Sequence, residues 1–339
     1  MKRFLVSSLI VLALIAALGA GLLALLSAPG SLAEGGQLFE VRKGESTTAL
    51  AKRLQDEGIL RSAEAFSLLA RIEGKAARIR SGTYRIEPKM GALAVLDLVV
   101  EGRQALQKVT IPEGLSLRET ALLFEKAAVT SESDFMKAAM DPALLARLGI
   151  PGKSAEGYLF PDTYFMPKDY GADQAIGELV ATFKARLAAI PEAAGLDGSA
   201  LRDKVILASI IQKEYRIPDE APIIASVFDN RLKIGMGLQS CATVVYIITE
   251  RLGKAHPDVV YDKDLRIKDP FNTYLYRGLP PAPIASPGLI ALRAAFEPAS
   301  TKWLYFRLVD PVAGTHHFSS TFDEHLHAAQ LVLKRTPGQ

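Results

Sequence analysis

Glu214 is the carboxyl group whose sequence surroundings best suit catalysis. The apolar spacing predicts a helix over residues 204–215. Positions three, four and seven residues before Glu214 share its helix face and are all aliphatic: Ile211, Ile210 and Leu207. Desolvation on such a face disfavours the ionised carboxylate, raises its pKa and suits a general acid near neutral pH. A glutamate that reaches solvent at a helix end fits the same spacing.

Neutral polar side chains and rigid turns follow in the loops after Glu214. Amides and hydroxyls occur at residues 239–243 and 272–274, and prolines and glycines occur at 278–281 and 286–288. Together they indicate a groove for an uncharged polymer such as a sugar chain, in preference to a phosphate or nucleotide site. The same loops can also be simple connections.

Cysteine and histidine offer two alternative chemistries. Cys241 with His316 or His317 would form a thiol nucleophile and its base, as in a wall peptidase or amidase, but no sequence feature brings them together. A lone cysteine more often fills a core. The late histidines lack a known metal-ligand spacing, so hydrogen-bonding and solvent-facing roles are expected and no metal site is predicted; they are His316, His317, His325 and His327.

Helices and a hairpin are expected to position these residues. A second helix is predicted to begin with Asp219 as its N-cap and to end at Lys233. Residues 303–309 alternate as a strand does and are expected to pair with residues 317–319. Residues 106–339 are therefore predicted to form one mixed α+β domain.

A small module is predicted in residues 31–105, after a flexible linker. A short strand, a glycine turn and a helix capped by Ser46 or Thr47 follow one another, and Gly58 ends the helix. Over about residues 41–60 this unit resembles a LysM-like fold, a small wall-associated module.

Residues 1–30 predict a membrane anchor. Lys2 and Arg3 precede an uncharged, apolar run from residue 4 to residue 26, and about 20 such residues suffice to span a bilayer as a helix. The positive-inside rule puts the N-terminus in the cytoplasm, so the expected location is the inner membrane with the rest of the chain in the periplasm. A signal peptide cleaved at residues 31–33 is the alternative.

Composition excludes several classes of protein. With 339 residues, of which 49% are hydrophobic and 23% charged, the chain is expected to fold around sizeable cores. The net charge is only +3 and basic residues are scattered among acidic ones, so no nucleic-acid partner is predicted. The single cysteine excludes an internal disulfide and a cysteine-based zinc site.

Nine short motifs follow one another along the chain. The central two are ASIIQKE at 208–214 and SVFDNRL at 226–232. The others lie at 156–164, 238–240, 243–246, 272–274, 278–281, 284–288 and 316–318. In order and spacing, from the anchor to near the C-terminus, the chain resembles the YceG-like, MltG-type endolytic murein transglycosylases.

This resemblance implies a reaction. The family is expected to cleave the β-1,4 bond between N-acetylmuramic acid and N-acetylglucosamine in nascent glycan strands, without water, leaving a 1,6-anhydro end. Its catalytic glutamate falls on Glu214, which would act as acid and then as base, so no second carboxylate is required. Gln212 replaces a glutamate common in the family and removes a competing candidate. Cys241 and Ala242 replace the usual Asp-Pro before the threonine of the next motif.

The resemblance also implies partners and substrate-binding residues. The positions expected to contact glycan are Ser209, Asn230, Gln239, Thr243, Tyr246, Asn272, Thr273, Tyr274, Pro280, Pro281, Pro287 and Gly288. Peptidoglycan and the inner membrane are the expected partners, and wall synthases or division proteins follow as a hypothesis from that location. No glycine-rich phosphate loop is present, and no cofactor is expected. A non-catalytic peptidoglycan-binding or assembly protein is the alternative.

Overall fold

Helices alternate with short two-stranded sheets in a computed structural model, which describes residues 2–32, 35–196 and 198–335. The chain divides into two units, Met1–Gln107 and Lys108–Gln339. Each unit has its own hydrophobic core. This mixture of helices and small sheets confirms the predicted α+β class.

The first unit combines one antiparallel strand pair with four helices among its described residues. In chain order its elements are α1 (Lys2–Ser27), β1 (Gln37–Val41), α2 (Thr47–Asp56), α3 (Ala63–Ile72), β2 (Gly82–Ile86) and α4 (Ala92–Glu101). Strands β1 and β2 pair from Gln37 opposite Ile86 to Val41 opposite Gly82. The aromatic pair Phe39 and Tyr84 meets in mid-register and is buried in the core.

Local sequence signals account for both ends of α2. The Ser46 hydroxyl accepts a 3.2 Å hydrogen bond from the amide of Ala49 and so caps the helix, as predicted. Gly58 follows the helix with a φ of 74°, the left-handed conformation that glycine adopts without strain. Leu50 and Leu54 are buried. Between α1 and α4 the unit runs strand, helix, helix, strand, and its likeness to a LysM module stays a prediction.

Helix α1 covers the segment predicted to be a membrane anchor. Leu26, near its end, is buried in the core of the first unit. None of the helices within residues 2–32, 35–196 and 198–335 combines the length and apolar character of a membrane span. The anchor stays a prediction, and Ala33 of the alternative cleavage motif lies outside the described residues.

The second unit begins within strand β3 and is mainly helical. Its elements are β3 (Leu106–Thr110), α5 (Leu117–Lys126), α6 (Glu132–Ala138), α7 (Pro142–Arg147), β4 (Thr163–Pro167), α8 (Ala172–Leu187), α9 (Gly198–Glu214), α10 (Ala221–Lys233), α11 (Cys241–Tyr246), α12 (Leu289–Phe296), β5 (Tyr305–Asp310), β6 (Thr315–Ser319) and α13 (Phe322–Arg335). Strand β3 pairs with β4, and β5 pairs with β6.

Helix α9 packs against α10 and α12. Every residue from Val205 to Ile211 is buried, because neighbouring elements cover the helix on all sides. The predicted helix at this position is confirmed and begins earlier, at Gly198. The prediction that Asp219 caps α10 is wrong: the N-cap residue is Glu220, and it makes no capping hydrogen bond.

The predicted hairpin near the C-terminus is confirmed. Strands β5 and β6 are antiparallel, with Tyr305 opposite Ser319 and Arg307 opposite His317. Helices α10 and α13 both pack against β5. The hairpin is thereby held beside the end of α9.

Candidate active site

Glu214 ends helix α9 at an open cleft in the second unit. The cleft has a volume of about 430 Å³ and is bounded by α9, α10, residues 238–241, Tyr274, the β5–β6 hairpin and the start of α13. The aliphatic residues that share the face of Glu214 are buried, as predicted, and these are Leu207, Ile210 and Ile211. Glu214 is half-buried and lines the cleft.

One hydrogen bond and several positive charges surround this carboxyl group. The Ser240 hydroxyl donates to Oε1 of Glu214 at 2.5 Å. Burial is the largest influence and raises the pKa of Glu214 above its ordinary value. The hydrogen bond from Ser240 and the charges of His316, Arg231 and Arg216 moderate this rise. Glu214 therefore stays protonated to higher pH than an exposed glutamate, as a general acid must.

Two threonines hold the loop that carries Ser240. The amide of Ser240 donates to Oγ1 of Thr273 at 3.0 Å, and the hydroxyl of Thr243 donates to the carbonyl of Ser240 at 2.8 Å. Gln239, just before Ser240, has a φ of 51° and its amide donates to the carbonyl of Thr273. Gln239 lines the cleft, whereas Thr243 and Thr273 are buried and act by fixing the loop.

Helix α10 uses two polar side chains to hold the wall of the cleft. The Asn230 amide donates to two carbonyl groups in segment 301–303, at 2.9 and 3.0 Å. The Arg231 guanidinium donates to the carbonyls of Leu304 and Leu238, both at 2.6 Å. The amide predicted to bind glycan is thus engaged with the backbone that leads into β5.

Glu220 and His316 form a buried carboxylate–imidazole pair that the sequence reasoning missed. Oε2 of Glu220 lies 2.6 Å from Nδ1 of His316, and the His316 amide also donates to the carboxylate. The hydrogen-bonding role expected for this histidine is confirmed, but its side chain is 5% exposed, so the solvent-facing role is wrong. It lines the same cleft as Glu214. Because the partners are 96 residues apart in the chain, no local pattern indicates their contact.

Replacement of Glu220 by glutamine should slow catalysis without unfolding the chain. Glutamine can still accept the hydrogen bonds of His316, but the ring loses the carboxylate that lies 2.6 Å from its Nδ1. We expect turnover to fall about tenfold, because the His316 ring would be held less well in its place at the cleft. Because His316 acts on the pKa of Glu214, a change beside its ring should also shift the falling limb of the pH–rate profile.

Asp219→Asn provides the matched control, because Asp219 is the exposed neighbour of Glu220. It should leave both turnover and the pH profile unchanged. A Glu220→Gln variant with parental turnover and an unshifted profile would show that the pair has no influence on the cleft.

Cys241 is exposed at the cleft and contacts a tyrosine. Its Sγ lies 3.0 Å from the hydroxyl of Tyr274. Among the described residues no histidine is hydrogen-bonded to the thiol, and the imidazole of His316 is bound to Glu220. Tyr274, one of the residues predicted to bind glycan, does line the cleft. The arrangement gives no support to a thiol nucleophile.

Cys241→Ala should therefore keep its activity within about twofold of the parent, since the change removes an exposed side chain whose hydrogen bond is to Tyr274 and not to Glu214. The measurement is the rate of strand cleavage by the full chain, with circular dichroism to verify folding. Loss of turnover in a folded variant would revive the thiol mechanism.

Tyr246 lies at a second cleft, on another side of α11. This cleft also has a volume of about 430 Å³ and is bounded by the start of α5, Lys213, α11 and residues 249–256. The Tyr246 hydroxyl donates to Oε2 of Glu156 at 3.3 Å, and the amide of Leu117 donates to Oε1 at 2.9 Å. Burial raises the pKa of Glu156 to about 8.

The remaining predicted residues lie outside the cleft of Glu214. The buried Ser209 hydroxyl accepts from the amide of Ile284 at 3.0 Å, and the buried Asn272 amide donates to the carbonyls of Leu265 and Ile267. The Gly288 amide donates to Gln212 at 2.9 Å. Three prolines predicted to contact glycan do not line the cleft either, and these are Pro280, Pro281 and Pro287.

Comparison with known proteins identifies a family and relatives with similar sequences. A sequence model described as the YceG-like family matches residues 39–331. A protein named endolytic murein transglycosylase from Bacillus subtilis (strain 168) is 29% identical over 316 residues, covering 87% of this chain and 84% of the relative. One of the same name from Streptococcus pneumoniae (strain D39) is 25% identical over 314 residues, and the match covers 84% of this chain and 56% of that protein.

A crystal structure of a yceG-like protein from Listeria monocytogenes has the same fold. It superposes with a TM-score of 0.57 at 29% identity, covering 87% of this chain and 99% of that one. With a family match over most of its length, this chain belongs to the YceG-like family.

Proposed function

We propose that this chain is an endolytic peptidoglycan lytic transglycosylase that cleaves the β-1,4 bond between N-acetylmuramic acid and N-acetylglucosamine. The observation that carries the proposal is the cleft of Glu214, in which Glu214 is the one carboxylic acid among the described lining residues. Hydrolases of the common kind use two carboxyl groups on either side of the bond. The names of the Bacillus and Streptococcus relatives support the same activity.

In the proposed mechanism Glu214 first gives up a proton and then takes one back. It first donates its proton to the glycosidic oxygen, and the bond from that oxygen to the anomeric carbon of the muramic sugar breaks. The C6 hydroxyl of that sugar then bonds to the anomeric carbon and returns its proton to Glu214. The products are a free N-acetylglucosamine hydroxyl and a 1,6-anhydro end, and no water is consumed.

The decisive experiment is mass spectrometry of the sugar ends. Uncrosslinked glycan strands are incubated with the full chain, and the new ends are compared with those made by a hydrolase. An anhydro end is lighter than a reducing end by one water molecule. Reducing ends would show a hydrolase, and intact strands would favour the alternative of a non-catalytic peptidoglycan-binding protein.

The first unit is proposed to bind glycan and to hold the enzyme at the membrane. Its strand, helix, helix, strand order supports a LysM-like module, and Lys2 and Arg3 before an apolar run support an anchor with a cytoplasmic N-terminus and a periplasmic enzyme. Retention of the chain in carbonate-washed inner membranes tests the anchor. Contact with wall synthases or division proteins follows from this location, and a membrane pull-down that recovers no synthase would weaken it.

A further inference from the structure

The hairpin wall of the Glu214 cleft carries buried nitrogen atoms without partners. Arg307 of β5 and His325 of α13 both line the cleft. Nε of Arg307 and Nδ1 of His325 are buried and have no hydrogen-bond partner among the described residues. Buried donors are usually satisfied, because an unpaired one costs free energy. Because a guanidinium can only donate, the unpaired Nε of Arg307 suits a ligand that accepts hydrogen bonds.

The electrostatic surroundings of this wall are positive. Burial lowers the pKa of His325, and the nearby charges of Arg307, Arg231 and His317 lower it further. The Arg231 guanidinium lies over the ring of Tyr305, 5.3 Å from its centroid. His325 stacks on the same ring, with centroids 5.3 Å apart.

Two carboxylates near the wall are already engaged in hydrogen bonds. Glu220 is bound to His316, and Glu324 accepts hydrogen bonds from the amides of Ser320 and Thr321 at the start of α13. Among the described lining residues the one carboxyl group is Glu214, whose pKa is raised. The cleft thus presents more positive than negative charge, which an entirely neutral sugar polymer would leave uncompensated.

We propose that Arg307, with His325 beside it, binds a carboxylate carried by the glycan strand. A guanidinium presents paired donors that match the two oxygens of a carboxylate. Peptidoglycan carries such groups on its stem peptides, and it carries one on the lactyl ether of the muramic sugar where the peptide has been removed. Both are attached to the sugar at which Glu214 is proposed to act, so this inference rests on the proposed function. The substituent on the muramic sugar would then help to determine how tightly a strand binds in the cleft.

The test uses three substrates and the full chain. The substrates are uncrosslinked strands with their stem peptides, strands stripped of peptide by an amidase so that the lactyl carboxylate is free, and peptide-bearing strands whose carboxylates have been converted to amides. The variants are Arg307→Gln, which removes the charge, and Arg307→Lys, which keeps the charge but loses the fork. Arg293→Gln on α12, an exposed arginine outside the cleft, is the matched control.

We expect Arg307→Gln to lower kcat/KM by about tenfold on a strand with carboxylates and to match the parent on the amidated strand. The kcat/KM of Arg307→Lys on charged strands should lie between the values of Arg307→Gln and the parent. Arg293→Gln should match the parent on all three substrates. If the kcat/KM of Arg307→Gln falls only on peptide-bearing strands, the bound group is a peptide carboxylate. If it falls only on stripped strands, the bound group is the lactyl carboxylate. Equal losses on all three substrates, or no loss on any, would overturn the proposal.

A binding measurement keeps this test separate from the proposed function. The dissociation constants of fluorescent strands are measured in a Glu214→Gln background, with and without the Arg307 substitutions. If the parent cleaves no strand, the proposed function fails, and the carboxylate site is still decided by whether Arg307→Gln weakens binding to charged strands alone. Should Arg307→Gln fail to fold, Arg307→Lys supplies the same comparison.

Discussion

Glu214→Gln is expected to lower the rate of strand cleavage by about a hundredfold to ten-thousandfold, the contribution typical of general acid–base catalysis. Glutamine keeps the size of the side chain and can still accept the hydrogen bond from Ser240, but its amide is not acidic enough to protonate the glycosidic oxygen. Binding of strands should persist, because the cleft keeps its shape. Release of anhydro-ended fragments from uncrosslinked strands is the measurement.

The pH dependence gives an independent check on the same residue. Burial raises the pKa of Glu214, and the acid step needs the protonated form, so activity should fall as the pH rises through that pKa. Glu113→Gln is the control, because Glu113 contacts Gln212 and Tyr215 near α9 without lining the cleft. Cleavage by Glu214→Gln at the parental rate would refute the mechanism.

Glu156→Gln should stabilise the second unit at neutral and alkaline pH. Burial raises the pKa of Glu156 from 4.5 to about 8. The carboxyl group therefore contributes fully to stability below pH 4.5, and this contribution falls as the pH rises to about 8, because the unfolded chain ionises and the folded one resists ionisation. An uncharged glutamine avoids this loss while it accepts from the amide of Leu117 and donates to Tyr246. The gain should be roughly 3 kcal/mol at pH 7 and should vanish below the ordinary pKa.

Denaturant unfolding followed by tryptophan fluorescence measures this gain. Trp303 is the one tryptophan of the chain and belongs to the second unit, so its signal reports on the unit that contains Glu156. Glu125→Gln is the control, because Glu125 is an exposed carboxylate of α5 that is not among the groups acting on Glu156. The free energy of unfolding of this control, relative to the parent, should not increase as the pH rises. If Glu156→Gln were no more stable than the parent at pH 8, the carboxyl group would have to be ionised in the folded chain.

Features of the site that depend on short-range patterns were predictable from the sequence. Helical spacing predicted α9 and its buried face below Glu214, and strand alternation predicted the β5–β6 hairpin. These elements follow from residues a few positions apart, where periodicity is informative. The cap of α10 was mispredicted at Asp219 because an acidic residue before a helix is a cap by local rules, whereas the tertiary fold starts the helix at Ala221.

The roles of polar residues depend on distant partners and could not be predicted in this way. The amide of Asn230 is chemically suited to sugars, yet it binds carbonyl groups about 70 residues away in the chain. The pairing of Glu220 with His316 and the unpaired nitrogen of Arg307 are likewise consequences of tertiary structure. A sequence motif identifies such residues as important, but only the fold distinguishes a ligand contact from a support.

If Glu214 is the acid and base, as proposed, its hydrogen bond from the Ser240 hydroxyl can persist through the whole catalytic cycle. Glu214 must be neutral before the bond breaks, ionised in between and neutral again afterwards. If the travelling proton resides on Oε2, the hydrogen bond from Ser240 to Oε1 is compatible with all three stages. Thr243 and Thr273 hold the loop in place meanwhile. Under the proposed mechanism, the protonated form of Glu214 is then regenerated at the end of each turnover with this hydrogen bond still in place.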